Sequence, residues 1–600
     1  MIILGLNTFG ENPSACLVRE GKLVAMSQED RFTRLKGSEG AFPALALEWC
    51  LKSQKLSLGD VNKIAVSWNC HKYPWKMATH LARMKFSSHG SPYVHPPSIR
   101  HASSNGAGLE YLYKHTAGAF ENGIRDNLRV SGHHGPVPPI EFVEHHLSHA
   151  CQAYYQSPFE DAAVLVVDGS GEEHTVSGYA VRNGNMKRVF GYDIPQSLGW
   201  YYGAFTAYLG FRANRDEGKL MGLAALGECR RANNPWLERL EKVIRITPEG
   251  FELDPLCLKL GGNEFHPRFT DHLYKFVTSY DPDLVPIGVN EMVDKNGEKL
   301  SKYLLDNYVD LAYAVQDRLE EAMVSLARRL VKQTGLKKLC LAGGVAMNCK
   351  ANGVIRNRAG VEDIFVHPAS SDDGAAIRAA LKLAADEGDP PRNVLTHVQW
   401  GPSYTPAEIE AALQFSGVRY TVAKDIGAEA AELLGRGKIM GWFQGGAEMG
   451  ARALGGRSII ALPKDPKTKE IVNRRVKRRE PWRPYCPSLT IEKSNEYLQD
   501  PIETPYMILA RKATPLMSVA CPSAVHVDGT VRPQTVRSEV LPRWHHLIAS
   551  VGRNSDHPVI LNTSFNVRSE PIVCTPFDAL RCFFSNGLDA LAMEDFLVVK

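Results

Sequence analysis

The sequence predicts an α/β protein of two domains, and three observations carry that reading. At 600 residues the chain exceeds what one hydrophobic core supports. Three short apolar runs, 2–7 (IILGLN), 163–171 (AVLVVDGSG) and 339–348 (LCLAGGVAMN), each end in small or Gly-rich turns. They read as buried strands running into loops where the backbone can approach a ligand closely. Between them lie long stretches such as 308–332 with apolar residues at helical spacing, and strands alternating with helices define α/β architecture. The domain break falls in 384–404 (AADEGDPPRNVLTHVQWGPSY), where a helical pattern ends in Gly, two prolines and polar residues. This separates a first domain, 1–392, from a second, 393–600, whose length of about 200 residues suffices for an independent fold. Residues 228–300 carry few signals and are expected to form an insertion or lid. There is no short repeat and no low-complexity tract.

Composition narrows the function classes. A hydrophobic share of 44% and a charged share of 23% are ordinary for a globular chain. A net charge of +4 spread over this length does not mark a nucleic-acid binder. The 12 cysteines lie scattered without a CxxC pair, which fits reduced cytosolic thiols better than a disulfide framework. The start MIILGLNTFG lacks a basic n-region, so a signal peptide is not expected. No apolar run approaches the roughly 18–20 residues of a membrane span. The expectation is a cytoplasmic protein.

Segment 143–155 (VEHHLSHACQAYY) offers a metal. On a helix, His145 and His149 sit one turn apart on the same face, and His146 points elsewhere. Asp168 closes the strand that follows, and Asp372 opens SDDGAAIRAA at an expected strand-to-helix turn. HxxxH alone is weak, and either Asp could simply cap a helix. Together, two His and two Asp suit an iron- or zinc-like divalent ion, whereas an all-oxygen set favours Mg²⁺.

Three Gly-rich loops suggest a nucleotide. Gly343-Gly344 through Asn348 follows a strand, Gly171 lies in DGSGEEH, and Lys219 in DEGKLMGLAALG is a candidate phosphate contact. Such loops expose backbone N–H groups to phosphate. None matches GxxxxGK[ST], which excludes the P-loop class.

The C-terminal part is laced with arginine. Arg452 and Arg457 lie among small residues in GWFQGGAEMGARALGGRSII, and a basic run, NRRVKRREPWRP, follows. For Arg474, Arg475 and Arg478 a solvated helix face is the expectation. Arg483 sits between prolines that restrict its backbone, Arg532 lies in GTVRPQTV, and Ser564 and Asn566 lie in NTSFN after a strand at 558–561. Arginines with Ser and Asn donors suit a phosphate beside a planar carboxyl-like group.

Taken in order, LGLN, QEDRFTRLK, EHHLSHA, VVDGSGE, DEGKLMGLAALG, GGVAMN, SDDGAA, MGARALGGRSI, REPWRPYCPS, RPQTV and LNTSFNVRSEPIVCTP resemble the NodU/CmcH family of O-carbamoyltransferases nearly end to end. The resemblance implies an N-terminal actin/hsp70-like (ASKHA) ATPase-fold domain, similar to the threonylcarbamoyl-tRNA transferases, and an α+β YrdC-like C-terminal domain. It implies that the second domain forms carbamoyl-adenylate from carbamoyl phosphate and ATP, and that the first passes the carbamoyl group to an alcohol. The family metal, usually Fe²⁺, maps onto His145, His149, Asp168 and Asp372, and Mg²⁺ can accompany ATP. Arg483, Arg532, Ser564 and Asn566 match the residues that hold ATP and the carbamoyl group, and Lys36 lies in a matched motif.

Two departures bear on mechanism. The family commonly reads His-Asp-Ser near the N-terminus, the His being the proposed base; here stands Asn12-Pro13-Ser14. Asn cannot usefully take a proton, which leaves Glu11 or the substrate itself. Where the family often has Gln-Gly-Arg-Met-Glu, this chain has Gln444-Gly445-Gly446-Ala447-Glu448, one positive contact fewer; Ser569 replacing Gly is a smaller change. The expected catalytic positions are thus Asn12, Lys36, Arg483, Arg532 and Ser564. The expected partners are a small-molecule alcohol from secondary metabolism, carbamoyl phosphate and ATP, with no nucleic acid or membrane and with homodimer formation. A tRNA threonylcarbamoyl-transfer enzyme and a non-catalytic nucleotide-binding protein are the competing readings.

Overall fold

A computed structural model describes residues 1–76, 115–259, 268–287, 306–389, 392–480, 482–500 and 502–600. The chain divides into two bodies, one holding 63–371 and 381–386, the other 1–62, 372–380 and 387–600.

In the second body the chain opens with β1 (Ile2–Asn7), β2 (Ser14–Arg19) and β3 (Lys22–Gln28), an antiparallel meander. The apolar run predicted at 2–7 is β1, with its central residues buried. In the body 63–371, β4 (Lys63–Val66) and β5 (Ile140–Phe142) pair in parallel. β6 (Ala162–Val167), β7 (His174–Arg182) and β8 (Asn185–Asp193) form a second antiparallel meander. A small hairpin, β9 (Ile244–Thr247) and β10 (Gly250–Leu253), follows. β11 (Lys338–Ala342) and β12 (Asp363–Val366) then complete a sheet in the order β12-β11-β6-β7-β8, with β6, β11 and β12 parallel. β6 is buried along its whole length, as its unbroken apolar run requires in a sheet covered on both faces. The long amphipathic stretch is a 29-residue helix, Asp306–Thr334. A meander extended by parallel crossover strands is the arrangement expected of the actin/hsp70-like ATPase fold.

Part of the stretch 228–300 is described, and it is packed rather than loose. Trp236, Leu240, Phe251, Leu273 and Val277 are all buried. Within 72–105, expected to help shape an acceptor pocket, only 72–76 belong to the described residues.

The C-terminal part of the other body is an eight-stranded mixed sheet, the α+β architecture expected there. Its strands are β13 (Thr421–Val422), β14 (Met440–Phe443), β15 (Arg457–Ala461), β16 (Cys486–Thr490), β19 (Gln534–Val536), β20 (Val559–Ser564), β21 (Ala590–Met593) and β22 (Phe596–Val599). The order is β13-β22-β21-β14-β15-β20-β16-β19, while β17 (Arg511–Lys512) and β18 (Thr530–Val531) pair separately. Side chains alternate between two cores, as the two-residue period of a strand demands. Ile459, Ala461, Leu561, Leu591 and Met593 enter one. Met440, Trp442, Ile460, Ile560, Ala590 and Ala592 enter the other, beneath the helices Ile426–Gly435 and Pro542–Ser555. All 12 cysteines are free thiols, and among the described residues no helix is long and apolar enough to cross a membrane.

Candidate functional site

The helix His145–Tyr155 begins on a carboxylate. Glu172 accepts from the His145 backbone N–H at 3.0 and 3.1 Å and from that of Asn69 at 2.6 Å. This places negative charge at a helix N-terminus whose N–H groups lack intrahelical partners. One turn apart, the buried rings of His145 and His149 bring Nε2 to 3.2 and 3.0 Å from the same oxygen, Asp168 Oδ2. His146 turns away, Nδ1 meeting Ser177 Oγ at 3.0 Å. Burial favours a protonated Asp168, but hydrogen bonds from His145 and His149 outweigh it and hold the carboxyl well below the usual range.

The donor set fits a divalent transition ion. His145 Nδ1 lies 3.2 Å from the carbonyl oxygen of Ser67; a carbonyl only accepts, so Nδ1 carries the proton. Nε2 then meets an Asp168 oxygen, an attractive arrangement when a proton or a cation lies between the two. Metal–nitrogen and metal–oxygen bonds of about 2.1 Å place tetrahedral ligand atoms about 3.4 Å apart, close to the separations seen.

The same aspartate braces the Gly343-Gly344 loop. Asp168 Oδ1 accepts from the N–H of Gly169 at 2.7 Å and of Gly344 at 3.2 Å. Gly343 has φ +89°, and a Cβ there would sit 2.2 Å from the carbonyl oxygen of Val167. Gly343→Ala is therefore expected to cost about 1–3 kcal/mol, read as a lowered urea midpoint. Gly171 packs on His146, whose ring carbon a Cβ would meet at 2.9 Å, and on His145, whose Cβ it would meet at 3.3 Å. The other predicted nucleotide contacts have protein partners here. Asn348 caps the helix Cys349–Arg358 through Ala351 N–H and exchanges hydrogen bonds with Gln316, and Lys219 pairs with Asp216 at 3.0 Å.

Asp372 belongs to the other body, one peptide bond beyond Ser371. Its Oδ1 accepts from Arg378 Nη2 at 2.7 Å, and its carbonyl accepts from Asn7 Nδ2 at 3.0 Å. Asn7 also donates to the carbonyls of Glu11 and Asn12, at 2.7 and 2.9 Å. The end of β1 thus shapes the loop bearing Asn12, which takes a left-handed φ of +50°, a conformation Asn tolerates better than most residues.

In that body the N-terminal marker 28–36 is joined to two C-terminal markers. Arg31 donates to Gly450 O at 3.1 Å; Arg34 donates to Pro571 O and Ile572 O at 2.9 and 2.7 Å and pairs with Asp578 at 3.2 Å. Lys477, absent from the sequence-based set, joins Ser564 to Asn566. Its buried ammonium donates to Ser564 O at 2.8 Å, Ser564 Oγ at 3.3 Å and Asn566 O at 2.9 Å, and also to Asn566 Oδ1. Burial and then the like charges of Arg479, Arg483 and Lys36 push its pKa well below the ordinary value. A signal for it existed. Val472, Asn473, Val476 and Lys477 recur at helical spacing and are buried, whereas Arg474, Arg475 and Arg478 face outward.

Arg532 turns Nε and Nη2 toward Cys486 Sγ at 2.9 and 2.8 Å, and Cys486 pairs with Asn562, two residues before Ser564. Arg457, which shares its small-residue surroundings with Arg452, has a structural job. It is fully buried and donates to the carbonyls of Gln444, Gly456 and Pro402 at 2.9–3.0 Å. Gly446, where the family carries Arg, has no room for a side chain: a Cβ would lie 2.9 Å from Gln399 O and 3.1 Å from Gly401 O.

The chain matches the family model described as carbamoyltransferase N-terminus over residues 2–381 and that described as carbamoyltransferase C-terminus over residues 431–600. A Synechocystis protein is 32% identical over 100% of this chain and 96% of its own length. Nodulation protein NolNO of Sinorhizobium fredii is 31% identical, covering 99% of this chain and 80% of that protein. The 3'-hydroxymethylcephem-O-carbamoyltransferase of Amycolatopsis lactamdurans is 26% identical over 80% of this chain and 84% of its own. The NodU/CmcH resemblance read from the motifs is borne out: this chain belongs to the carbamoyltransferase family and is a carbamoyltransferase.

Proposed function

We propose that this enzyme activates a carbamoyl group with ATP and transfers it to the hydroxyl of a small molecule, in secondary metabolism. The observation that carries the activation half is the cluster around Lys477. Lys477 is buried against Ser564 and Asn566, and the positive charges of Arg479, Arg483 and Lys36 disfavour its own. Like charges gathered in this way favour an anion, here the phosphates of ATP and a carboxylate-like carbamate.

The chemistry balances as follows. Water cleaves carbamoyl phosphate to carbamate and phosphate. A carbamate oxygen attacks the α-phosphorus of ATP and pyrophosphate leaves. The resulting mixed anhydride has AMP as its leaving group, which overcomes the poor electrophilicity of a carbamate carbon flanked by donating nitrogen and oxygen. Arg483 and Arg532 hold the anionic oxygens, and Lys477 fixes the positions of Ser564 and Asn566. Lys477→Met is expected to lower carbamoyl phosphate-dependent pyrophosphate release about 10²-fold, and unchanged release would remove Lys477 from the activation site.

We further propose that His145, His149 and Asp168 hold one divalent metal ion at the transfer centre, with Asp372 as the further ligand and Fe²⁺ as the ion by the family resemblance. When bound, such an ion supplies positive charge to a departing phosphate. Asp168 orients both imidazoles and, through Gly344 N–H, the glycine loop beside them. The acceptor hydroxyl must lose a proton as it attacks, and Asn12 has no means to take it. Asn12→Ala is accordingly expected to reduce transfer less than about tenfold, the loss attributable to the strained φ that Asn tolerates. A larger loss, with adenylate formation intact, would make Asn12 an acceptor-orienting residue.

The decisive experiment supplies labelled carbamoyl phosphate and ATP with a panel of alcohols that includes hydroxymethyl cephems and oligosaccharides. Label in an O-carbamate with stoichiometric pyrophosphate supports the reading. Transfer without pyrophosphate, or threonylcarbamoylated tRNA made from threonine and bicarbonate, overturns it.

A further inference from the structure

The body 63–371 carries a second cluster of ligand-type side chains that the transferase chemistry does not use. Asp254, Cys257 and His272 present a carboxylate oxygen, a thiol sulfur and an imidazole nitrogen within 4.8 Å of one another. His272 Nε2 lies 3.3 Å from Asp254 Oδ2, and Cys257 Sγ lies 3.7 Å from the same oxygen. Zinc bonds of about 2.3 Å to sulfur, 2.0–2.1 Å to imidazole nitrogen and 2.0–2.2 Å to carboxylate oxygen set these separations in a tetrahedron at about 3.5 Å for S···O and 3.3 Å for N···O. Both agree with the geometry to within a few tenths of an ångström.

The ligands are held before any ion arrives. Asp254 uses Oδ1 to cap the short turn Pro255–Cys257, accepting from Leu256 N–H at 2.9 Å, which orients Oδ2 toward the other two groups. The segments carrying Cys257 and His272 are in register: Leu258 bridges Phe269, and Lys259 N–H donates to Arg268 O at 2.8 Å. Thr270 ties the same segments together, its N–H reaching Cys257 O at 3.3 Å and its hydroxyl Leu256 O at 2.5 Å. Thr270 also caps the helix Asp271–Tyr280, on whose first turn His272 stands. Pre-organised ligands on a hydrogen-bonded scaffold are what a metal site requires. Cys257 is 1% exposed, which would shield a metal-bound thiolate, while the His272 side chain is 49% exposed, leaving an entry path and room for a water ligand.

We propose that Asp254, Cys257 and His272 form a second, zinc-type metal site, with water as fourth ligand. A thiolate and an imidazole select Zn²⁺ or Co²⁺ over Mg²⁺ or Ca²⁺. The site ties the end of β10 to the start of the helix Asp271–Tyr280 and acts as a structural clip between Cys257 and His272.

Sulfur makes the test selective, because none of the four residues proposed for the transfer centre is a cysteine. The metal-stripped full chain is titrated with Co²⁺ and read in the near ultraviolet, where thiolate-to-cobalt charge transfer absorbs. Expected are one thiolate-bound Co²⁺ per chain, a band retained in His149→Ala, its loss in Cys257→Ser, and at least a tenfold weaker Co²⁺ affinity in His272→Ala. Should Cys257→Ser fail to fold, Asp254→Asn and His272→Ala, both at partly exposed positions, report in its place. No band in the parent protein at saturating Co²⁺, or a band insensitive to these substitutions, overturns the assignment.

Discussion

His149→Ala is expected to abolish carbamoyl transfer while leaving adenylate formation close to the parent rate. His149 is fully buried, and its Nε2 meets Asp168 Oδ2 at 3.0 Å, so truncation removes one of the converging ligand atoms. A methyl group leaves no donor at that position, and the proposed set loses one of its two imidazoles. Loss of charge stabilisation worth several kcal/mol translates into a drop on the order of 10³-fold in transfer. Metal analysis of the purified variant should show the bound divalent ion lost in parallel. Carbamoyl phosphate-dependent pyrophosphate release, which the proposal assigns to the Lys477 cluster, is the internal control. If a folded His149→Ala protein loses both activities, the division of labour is wrong. If it keeps metal and transfer, the centre is not where we place it.

Arg532→Ala is expected to have the opposite signature, with adenylate formation falling about 10²–10³-fold, the cost of removing one pre-organised donor to an anion. The guanidinium is aimed by Cys486, on the strand paired with the one that ends at Ser564. Transfer from chemically supplied carbamoyl-adenylate should survive in this variant, which separates activation from transfer. Arg532→Lys is expected to rescue only in part, because an ammonium lacks the planar pair of donors that a phosphate or carboxylate engages. Full rescue would reduce Arg532 to a source of charge.

The elements that sequence periodicity could specify are where it placed them. The run 2–7 is β1, the stretch 308–332 lies within the helix Asp306–Thr334, and the His pair rides a helix with His146 turned away. Side-chain direction in a helix follows from 100° per residue, and that needs no tertiary information. The same rule, applied to the basic run, would have separated Lys477 from Arg474, Arg475 and Arg478. It was obscured because a lysine on a buried stripe contradicts the ordinary preference of that residue for solvent. Around Arg457 the small neighbours signal close approach of something, and here it is the protein's own carbonyls.

By itself, then, the sequence determined the family and the α/β class and supplied the residue types of the proposed metal set, since each rests on local pattern and motif order. Only the tertiary structure decided what those residues face. Folding brings Arg34 to carbonyls 537 and 538 positions away and Lys477 to Ser564 and Asn566. It also directs both oxygens of Asp168, one toward the imidazoles and one toward the glycine loop, and fills the space at Gly446 with backbone. Such pairings cross hundreds of residues, and their loop-closure cost grows only slowly with separation, so nothing local in the chain announces them.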